Sequence, residues 1–160
     1  MLAIAAAVLA AALKDGVYMT RGTLQPHWPL NSFMRSQCFG AKMSSHRTRH
    51  APTTWFVVWQ WLRVVACVAI TDRADHYWLH NLCVRDTNRR RGWARRLYAE
   101  ALRHCRSRAA AGDGSRNRVM LKVYNDNTAS SGLLDAHLPE FTSVPELSRA
   151  AYTVYSCSVL

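Results

Sequence analysis

The stretch YWLHNLCVRDTNRRRGWARRLYAEALRHC, residues 77–105, decides the fold, because its pattern changes twice within a short length. Tyr77–Val84 is rich in aromatic and other apolar residues, which favours a strand. Three arginines and Gly92 follow in a polar stretch. Apolar residues then return with the spacing of one helical face, at Ala94, Leu97, Tyr98, Ala101, Leu102 and Cys105. The stretch therefore predicts a strand, a basic turn and a helix that ends near Arg108.

The segments on either side of this unit predict further strands and a second helix. Upstream, Thr53–Trp59 and Arg63–Thr71 are β-branched and aromatic, and their short link indicates a hairpin. Downstream, the predicted elements are a strand at Val119–Val123, a helix capped by Asn127 or Thr128 that runs to about His137, and strands at Phe141–Val144 and Tyr152–Leu160. This order predicts an α+β fold, with a mixed, mostly antiparallel sheet and flanking helices.

The first fifty residues are read as a divergent or truncated N-terminal portion of helices and loops, and residues 51–160 as the core of the domain. Residues 1–13 are wholly apolar but shorter than the roughly 20 residues that span a bilayer. No basic segment precedes them, so a buried alanine-rich helix is preferred to a signal peptide. Residues 24–30 are predicted as a loop and residues 31–39 as a short helix. No convincing strand is predicted before residue 50.

The net charge and the cysteine content limit the kinds of molecule that the chain can be expected to bind. The net charge is +11, almost all from arginine, whose planar fork pairs well with phosphate. Nucleic acid, an anionic membrane or a phosphate-bearing cofactor would each suit such a chain, as would a plain solvated basic surface. The five cysteines are scattered, with no C-x-x-C pair, which argues against a disulfide framework and a zinc site, so no metal is expected. A reducing compartment fits best.

The basic turn has the physical properties of a phosphate site. The N-terminus of a helix presents unpaired backbone N–H groups and a partial positive charge, which together attract anions. Gly92 permits a close approach of the backbone, and Arg89, Arg90 and Arg91 add positive field. The alternative is an arginine run on a solvated helix start. A strand before the turn and a helix after it favour the phosphate site.

These residues carry a resemblance to a known family. Arg89-x-x-Gly92-x-Ala94 resembles the R/Q-x-x-G-x-G/A motif of the GNAT acyltransferase superfamily, and LHNLCV resembles the strand before it. Val123-Tyr124-Asn125-Asp126-Asn127 resembles the family's V-x-x-x-N element. The resemblance covers roughly residues 53–160. It implies a GNAT-like fold, acetyl-CoA as the cofactor, direct transfer of the acetyl group to a primary amine without a covalent enzyme intermediate, and a cytoplasmic location.

The resemblance also implies where the cofactor binds. Backbone groups of Leu82, Cys83 and Val84 would hold the pantetheine arm, and Asn127 would contact that arm near its acetyl end. Asn127 also suits a simple helix cap, and the two roles are compatible. The pyrophosphate would be held by the backbone N–H groups of Arg89, Arg90, Arg91, Gly92, Trp93, Ala94 and Arg95.

His80 is the candidate general base. An imidazole has the right intrinsic pKa for the task, and strict alternation would place His80 on the same face as Leu82 and Val84. The arylalkylamine branch of the family has a similar strand with a histidine at this position. The alternative is a partly buried histidine bonded to a backbone carbonyl.

The acid is where the sequence departs from the family. The usual tyrosine, seven residues after the asparagine, is replaced by Leu134. Tyr124 is the candidate substitute. Cys83 has nucleophile chemistry but no evident base beside it, so packing in the strand is the preferred interpretation.

The leading hypothesis is therefore an acetyl-CoA-dependent N-acetyltransferase that acts on a small-molecule or peptide amine, with no membrane role. A CoA-binding module that has lost catalysis is the alternative, motivated by Leu134. A nucleic-acid binder is less favoured, because no RNA-stacking motif or zinc finger accompanies the arginines. The sequence indicates neither the acceptor amine nor the oligomeric state.

Overall fold

The computed structural model describes residues 17–22, 28–39, 52–61, 63–112 and 116–160. The apolar segment 1–13 lies outside these residues. The strands are β1 (Val17–Gly22), β2 (Thr53–Gln60), β3 (Arg63–Asp72), β4 (Tyr77–Val84), β5 (Arg118–Tyr124), β6 (Thr142–Ser143) and β7 (Tyr152–Ser158). The helices are α1 (Trp28–Met34), which continues as a π turn over Arg35–Phe39, α2 (Trp93–Ala110) and α3 (Thr128–His137).

The strands form one sheet of seven in the order β1-β2-β3-β4-β5-β7-β6. The pairing of β4 with β5 is parallel, and every other pairing of neighbours is antiparallel. The parallel pair follows from the crossover through α2, which returns the chain to the sheet in the same direction. The predicted mixed, mostly antiparallel α+β fold is confirmed.

Strand β1 corrects the expectation that residues 1–50 hold no strand. All six of its residues pair with β2, from Val17 opposite Gln60 to Gly22 opposite Trp55. Single-sequence patterning misses such a segment because an edge strand takes its stability from the neighbour it pairs with. The strand places the N-terminal part of the described chain in the same sheet as the core.

Helix α1 begins earlier than the sequence predicts. Residues 24–30 were expected to be a loop because of their prolines, yet the helix starts at Trp28. Pro29 is the second residue of the helix, where its missing N–H has no partner to lose. Pro29 therefore marks a helix start, and residues 24–27 lie outside the described residues.

The sheet has two apolar faces. On one face, side chains of the sheet pack against side chains of α2 and α3. This cluster includes Phe56, Val58, Ile70, Tyr77, Leu79 and Leu121 of the sheet, Leu97, Tyr98 and Leu102 of α2, and Leu134 of α3. On the other face, Leu30, Phe33 and Met34 of α1 pack against the sheet in a smaller cluster. The sheet residues of this cluster are Trp55, Val57, Val64, Cys67, Ala69 and Cys83. Neighbouring residues of β2 alternate between the two clusters, as the pleat requires.

Candidate functional site

The sheet opens where β4 and β5 part. Their pairing is recorded for three residues of β4, Tyr77, Trp78 and Leu79, and stops before His80. Beyond that point β4 stays paired with β3, and β5 stays paired with β7 along its full length. The facing edges of β4 and β5 are therefore not paired with each other over their second halves, and an extended ligand fits between them like an added strand.

A bulge at Asn81 changes the facing of β4 within the gap. Asn81 has a φ of 56°, and the register with β3 shifts between Cys67 and Ala69. Asparagine tolerates this left-handed conformation better than most residues. The extra residue reverses the alternation, so that Leu82 packs with the α2 cluster and Cys83 with the α1 cluster.

The bulge corrects the predicted facing of His80. The sequence placed His80 on the same face as Leu82 and Val84, but His80 lies on the α1 face, opposite Ala69 and beside Trp55. Its ring stands edge-on to the indole of Trp55, with the ring centroids 6.4 Å apart. Leu82 and Val84 pack on the α2 side.

A hydroxyl holds His80 in place. Its Nε2 lies 2.8 Å from the Oγ1 of Thr71, which in turn lies 2.9 Å from the Oγ1 of Thr53. Thr71 is fully buried, whereas His80 is partly exposed. The partner of Nε2 is therefore a threonine hydroxyl.

The basic turn lies at the mouth of the gap. After β4 the chain makes a short 3-10 turn at Asp86–Asn88, passes through left-handed conformations at Arg90 and Gly92, and enters α2 at Trp93. Gly92 has a φ of 78°, and a Cβ added there would meet no atom within 4 Å. Glycine is thus favoured by the backbone angle and not by a close neighbour within the described chain.

The start of α2 suits an anionic group, because the first turn of a helix has N–H groups that the helix itself leaves unpaired. The indole N–H of Trp93 is buried and has no hydrogen-bond partner in the described part of the chain. The Arg89 N–H differs from the prediction, since it donates to the Asp86 carbonyl at 3.2 Å and is already used.

The arginines of the turn divide into paired and unpaired side chains. Arg89 forms an ion pair with Asp86 at 2.7 Å, and the Arg96 guanidinium stacks 5.1 Å from the Trp93 ring centroid. Arg90, Arg91 and Arg95 are exposed, and no contact of their side chains is found within the described residues. These three guanidiniums remain available to a phosphate.

Asn127 caps α3, as the sequence predicted. Its side-chain oxygen accepts a hydrogen bond from the Ser130 N–H at 3.2 Å. The residue is exposed and follows directly on the turn that ends β5. It therefore lies at the end of the strand that forms one side of the gap.

Tyr124, Leu134 and Cys83 differ in their exposure and in their contacts. Tyr124 ends β5, is half exposed, and packs edge-on against Tyr152 with centroids 6.3 Å apart. Leu134 is buried in the α2 and α3 core. Cys83 is disulfide-bonded, so it offers no free thiol, and the expectation of reduced cysteines is wrong at this position. No cluster of metal-ligating side chains occurs in the described residues.

The sequence analysis did not predict the contact of Thr71 with His80, the burial of the Trp93 indole N–H or the bulge at Asn81. Thr71 reads as one more β-branched strand residue, and nothing in the sequence announces that its hydroxyl meets His80. For the bulge, the sequence offered one signal, which is Asn81 itself. Asparagine favours the left-handed conformation that makes a bulge.

Solved structures that share this fold include several acetyltransferases. An acetyltransferase from Streptococcus agalactiae superposes with a TM-score of 0.67 at 12% identity, over 90% of this chain and 99% of that one. A GNAT-family acetyltransferase from Staphylococcus aureus gives 0.66 at 8% identity, over 89% and 100%. The PaiA N-acetyltransferase of Thermoplasma acidophilum, solved in complex with coenzyme A, gives 0.59 at 8% identity, over 88% and 99%.

The sequence itself identifies the family. The acetyltransferase (GNAT) family model matches residues 23–137. The chain therefore belongs to the GNAT family of acyltransferases. No curated protein gives a significant match to the sequence. None of the helices described here has both the length and the apolar character to span a membrane.

Proposed function

We propose that the protein is an N-acetyltransferase that moves an acetyl group from acetyl-CoA to a primary amine by direct attack. The observation that carries the proposal is the gap between β4 and β5, which opens after three paired residues and leads to the Gly92 turn. An extended gap suits a pantetheine arm, and a basic helix N-terminus suits its pyrophosphate. The residues present fit the cofactor.

The binding roles follow from the two edges of the gap. Peptide groups of Leu82, Cys83 and Val84 that point away from β3 hold the arm, as a neighbouring strand would. Backbone N–H groups from Arg90 to Arg95 hold the pyrophosphate. Arg90, Arg91 and Arg95 add charge, and Asn127 lies at the far side of the gap.

The chemistry needs a base, orientation and a proton donor. Bound acetyl-CoA supplies the activated thioester. His80 takes a proton from the acceptor ammonium, directly or through one water, which frees the nitrogen lone pair for attack. The walls of the gap hold the reacting groups together and thereby supply much of the rate. Tyr124, at the open end of β5, is the proposed proton donor to the departing sulfur.

Calorimetric titration with acetyl-CoA tests cofactor binding. We expect binding by the wild type and its loss in Gly92→Glu, where a side chain at φ 78° and a negative charge both oppose the pyrophosphate. Gly112→Glu is the matched control, because Gly112 has a φ of 75°, also faces open space and lies beyond the other end of α2. Absence of binding by the wild type at millimolar acetyl-CoA would refute the proposal.

A panel of arylalkylamines, polyamines, aminoglycosides and peptide N-termini tests the acceptor. Turnover with any of them supports an enzyme, and Tyr124→Phe should then lower kcat while Tyr152→Phe, its ring neighbour, should not. Binding of acetyl-CoA without turnover across the panel favours the second candidate, a CoA-binding module. The burial of Leu134 in the core motivates that candidate. An acyl-CoA cofactor places either role inside the cell.

A further inference from the structure

A chain of three polar side chains runs through the α1 face of the sheet. It starts at Thr53 on β2, passes through Thr71 on β3 and ends at His80 on β4. Thr71 lies directly opposite Thr53 and diagonally across from His80. The middle hydroxyl has no exposed surface, so it makes its bonds inside the protein.

The direction of the hydrogen bonds in this chain decides which ring nitrogen of His80 has the proton. A neutral imidazole is a donor at one nitrogen and an acceptor at the other. If the Nε2–H donates to Thr71, the Thr71 hydroxyl is free to donate to Thr53, and Nδ1 has the lone pair. In the opposite tautomer Thr71 donates to Nε2, and Nδ1 has no lone pair with which to accept a proton.

We propose that Thr71 is a positioning residue that fixes His80 in the Nε2–H tautomer and fixes the plane of its ring. This inference rests on the proposed function, because it assigns the basic nitrogen of His80 to Nδ1. A base oriented by a third group is the usual arrangement in catalytic sites. The Trp55 ring, edge-on to the imidazole, restricts the same rotation from another direction.

Charged groups in the described surroundings do not replace this role. The Arg85 guanidinium donates to the Val64 carbonyl at 3.0 Å and lies over the Phe33 ring. The Asp72 carboxylate binds Arg108 on the α2 side of the sheet, away from His80. Thr71 supplies a neutral hydroxyl to the imidazole where many enzymes use a carboxylate.

Nitrogen-15 NMR of the imidazole tests the tautomer without any need for turnover. We expect wild-type His80 to give the Nε2–H pattern, and Thr71→Val to lose it, because a methyl group cannot accept the proton. Thr71→Ser should retain the pattern. Thr54→Val is the matched control, since Thr54 is a buried threonine of the same hairpin on the opposite face. A wild-type Nδ1–H pattern overturns the proposal, even if Thr71→Val does not fold.

Kinetics give the second readout. With an accepted amine, Thr71→Val should lower kcat about tenfold or more, the scale at which removal of an orienting partner acts. The KM for acetyl-CoA should stay unchanged, and Thr71→Ser should rescue kcat. An unchanged kcat in Thr71→Val overturns the positioning role. Failure of the proposed function has a separate signature, which is a wild type with the Nε2–H pattern and no turnover on any amine.

Discussion

His80 shows how a residue gains its chemistry from its neighbours. In the sequence it is one histidine within an apolar strand, and its chemistry there is the intrinsic chemistry of imidazole. In the fold, a buried hydroxyl holds one ring nitrogen, and an indole limits the rotation of the ring. These contacts support the proposed role of His80 as the base on the α1 side of the gap.

Replacement of His80 tests this assignment. His80→Gln keeps a polar side chain of similar length but removes the basic nitrogen, so kcat should fall by about 100-fold or more. Binding of acetyl-CoA, measured by calorimetry, should be unaffected. His76→Gln is the matched control, because His76 pairs with Asp75 in the turn before β4. Equal kcat values for His80→Gln and the wild type would contradict the role of base.

Helix α3 shows why a motif position does not define a role by itself. In the family a tyrosine is usual seven residues after the asparagine, and here Leu134 at that position is 2% exposed. It packs in the core with Leu138, Phe141 and Tyr98. The position therefore contributes to stability in this chain.

Truncation of this helix position gives a stability prediction. Leu134→Ala should lower the free energy of unfolding by about 2–4 kcal/mol, because it removes a buried side chain and leaves a cavity. Leu133→Ala should cost less, since Leu133 is only partly buried. Urea unfolding of the two variants provides the comparison. An equal loss in both would show that Leu134 is not a core position.

The strand β4 shows what the sequence could predict and what it could not. Its bounds, the turn and the helix after it were predictable, because apolar periodicity and a glycine mark them. The bulge was not, because a single residue in a left-handed conformation reverses the facing of the strand without changing its composition. Strand β1 was missed for a related reason, since its stability comes from its pairing with β2. The contact between Thr71 and His80 joins different strands, and one sequence contains no sign of it.

At the scale of the whole molecule, the half-buried His104 couples stability to pH. Burial lowers the pKa of His104 below its usual 6.5, and the charges of Arg21 and Arg108 lower it further. The unfolded chain therefore binds a proton at a higher pH than the folded chain does. The contribution of His104 to the free energy of unfolding is complete above about pH 6.5 and is lost as the pH falls toward the lower native pKa.

His104→Phe should remove this part of the pH dependence. The aromatic ring keeps the contact with Phe56, but no group remains to take up a proton on unfolding. The free energy of unfolding should then decrease less between about pH 7.5 and about pH 5.5 than it does in the wild type. Urea titrations at both values measure the difference. The same slope in both proteins would show that His104 does not supply the coupling.

The parting of β4 and β5 has a consequence for the life of the chain in the cell. Unpaired strand edges are templates on which other chains assemble, and proteins normally cover them. Here β4 and β5 face each other inside one sheet, and their mutual pairing covers three residues of each strand. If acyl-CoA fills that space, the ligand also protects the chain from aggregation. The cellular abundance of the protein would then follow the supply of acyl-CoA. A cell with little acyl-CoA would contain less of the protein, in addition to having less substrate for it.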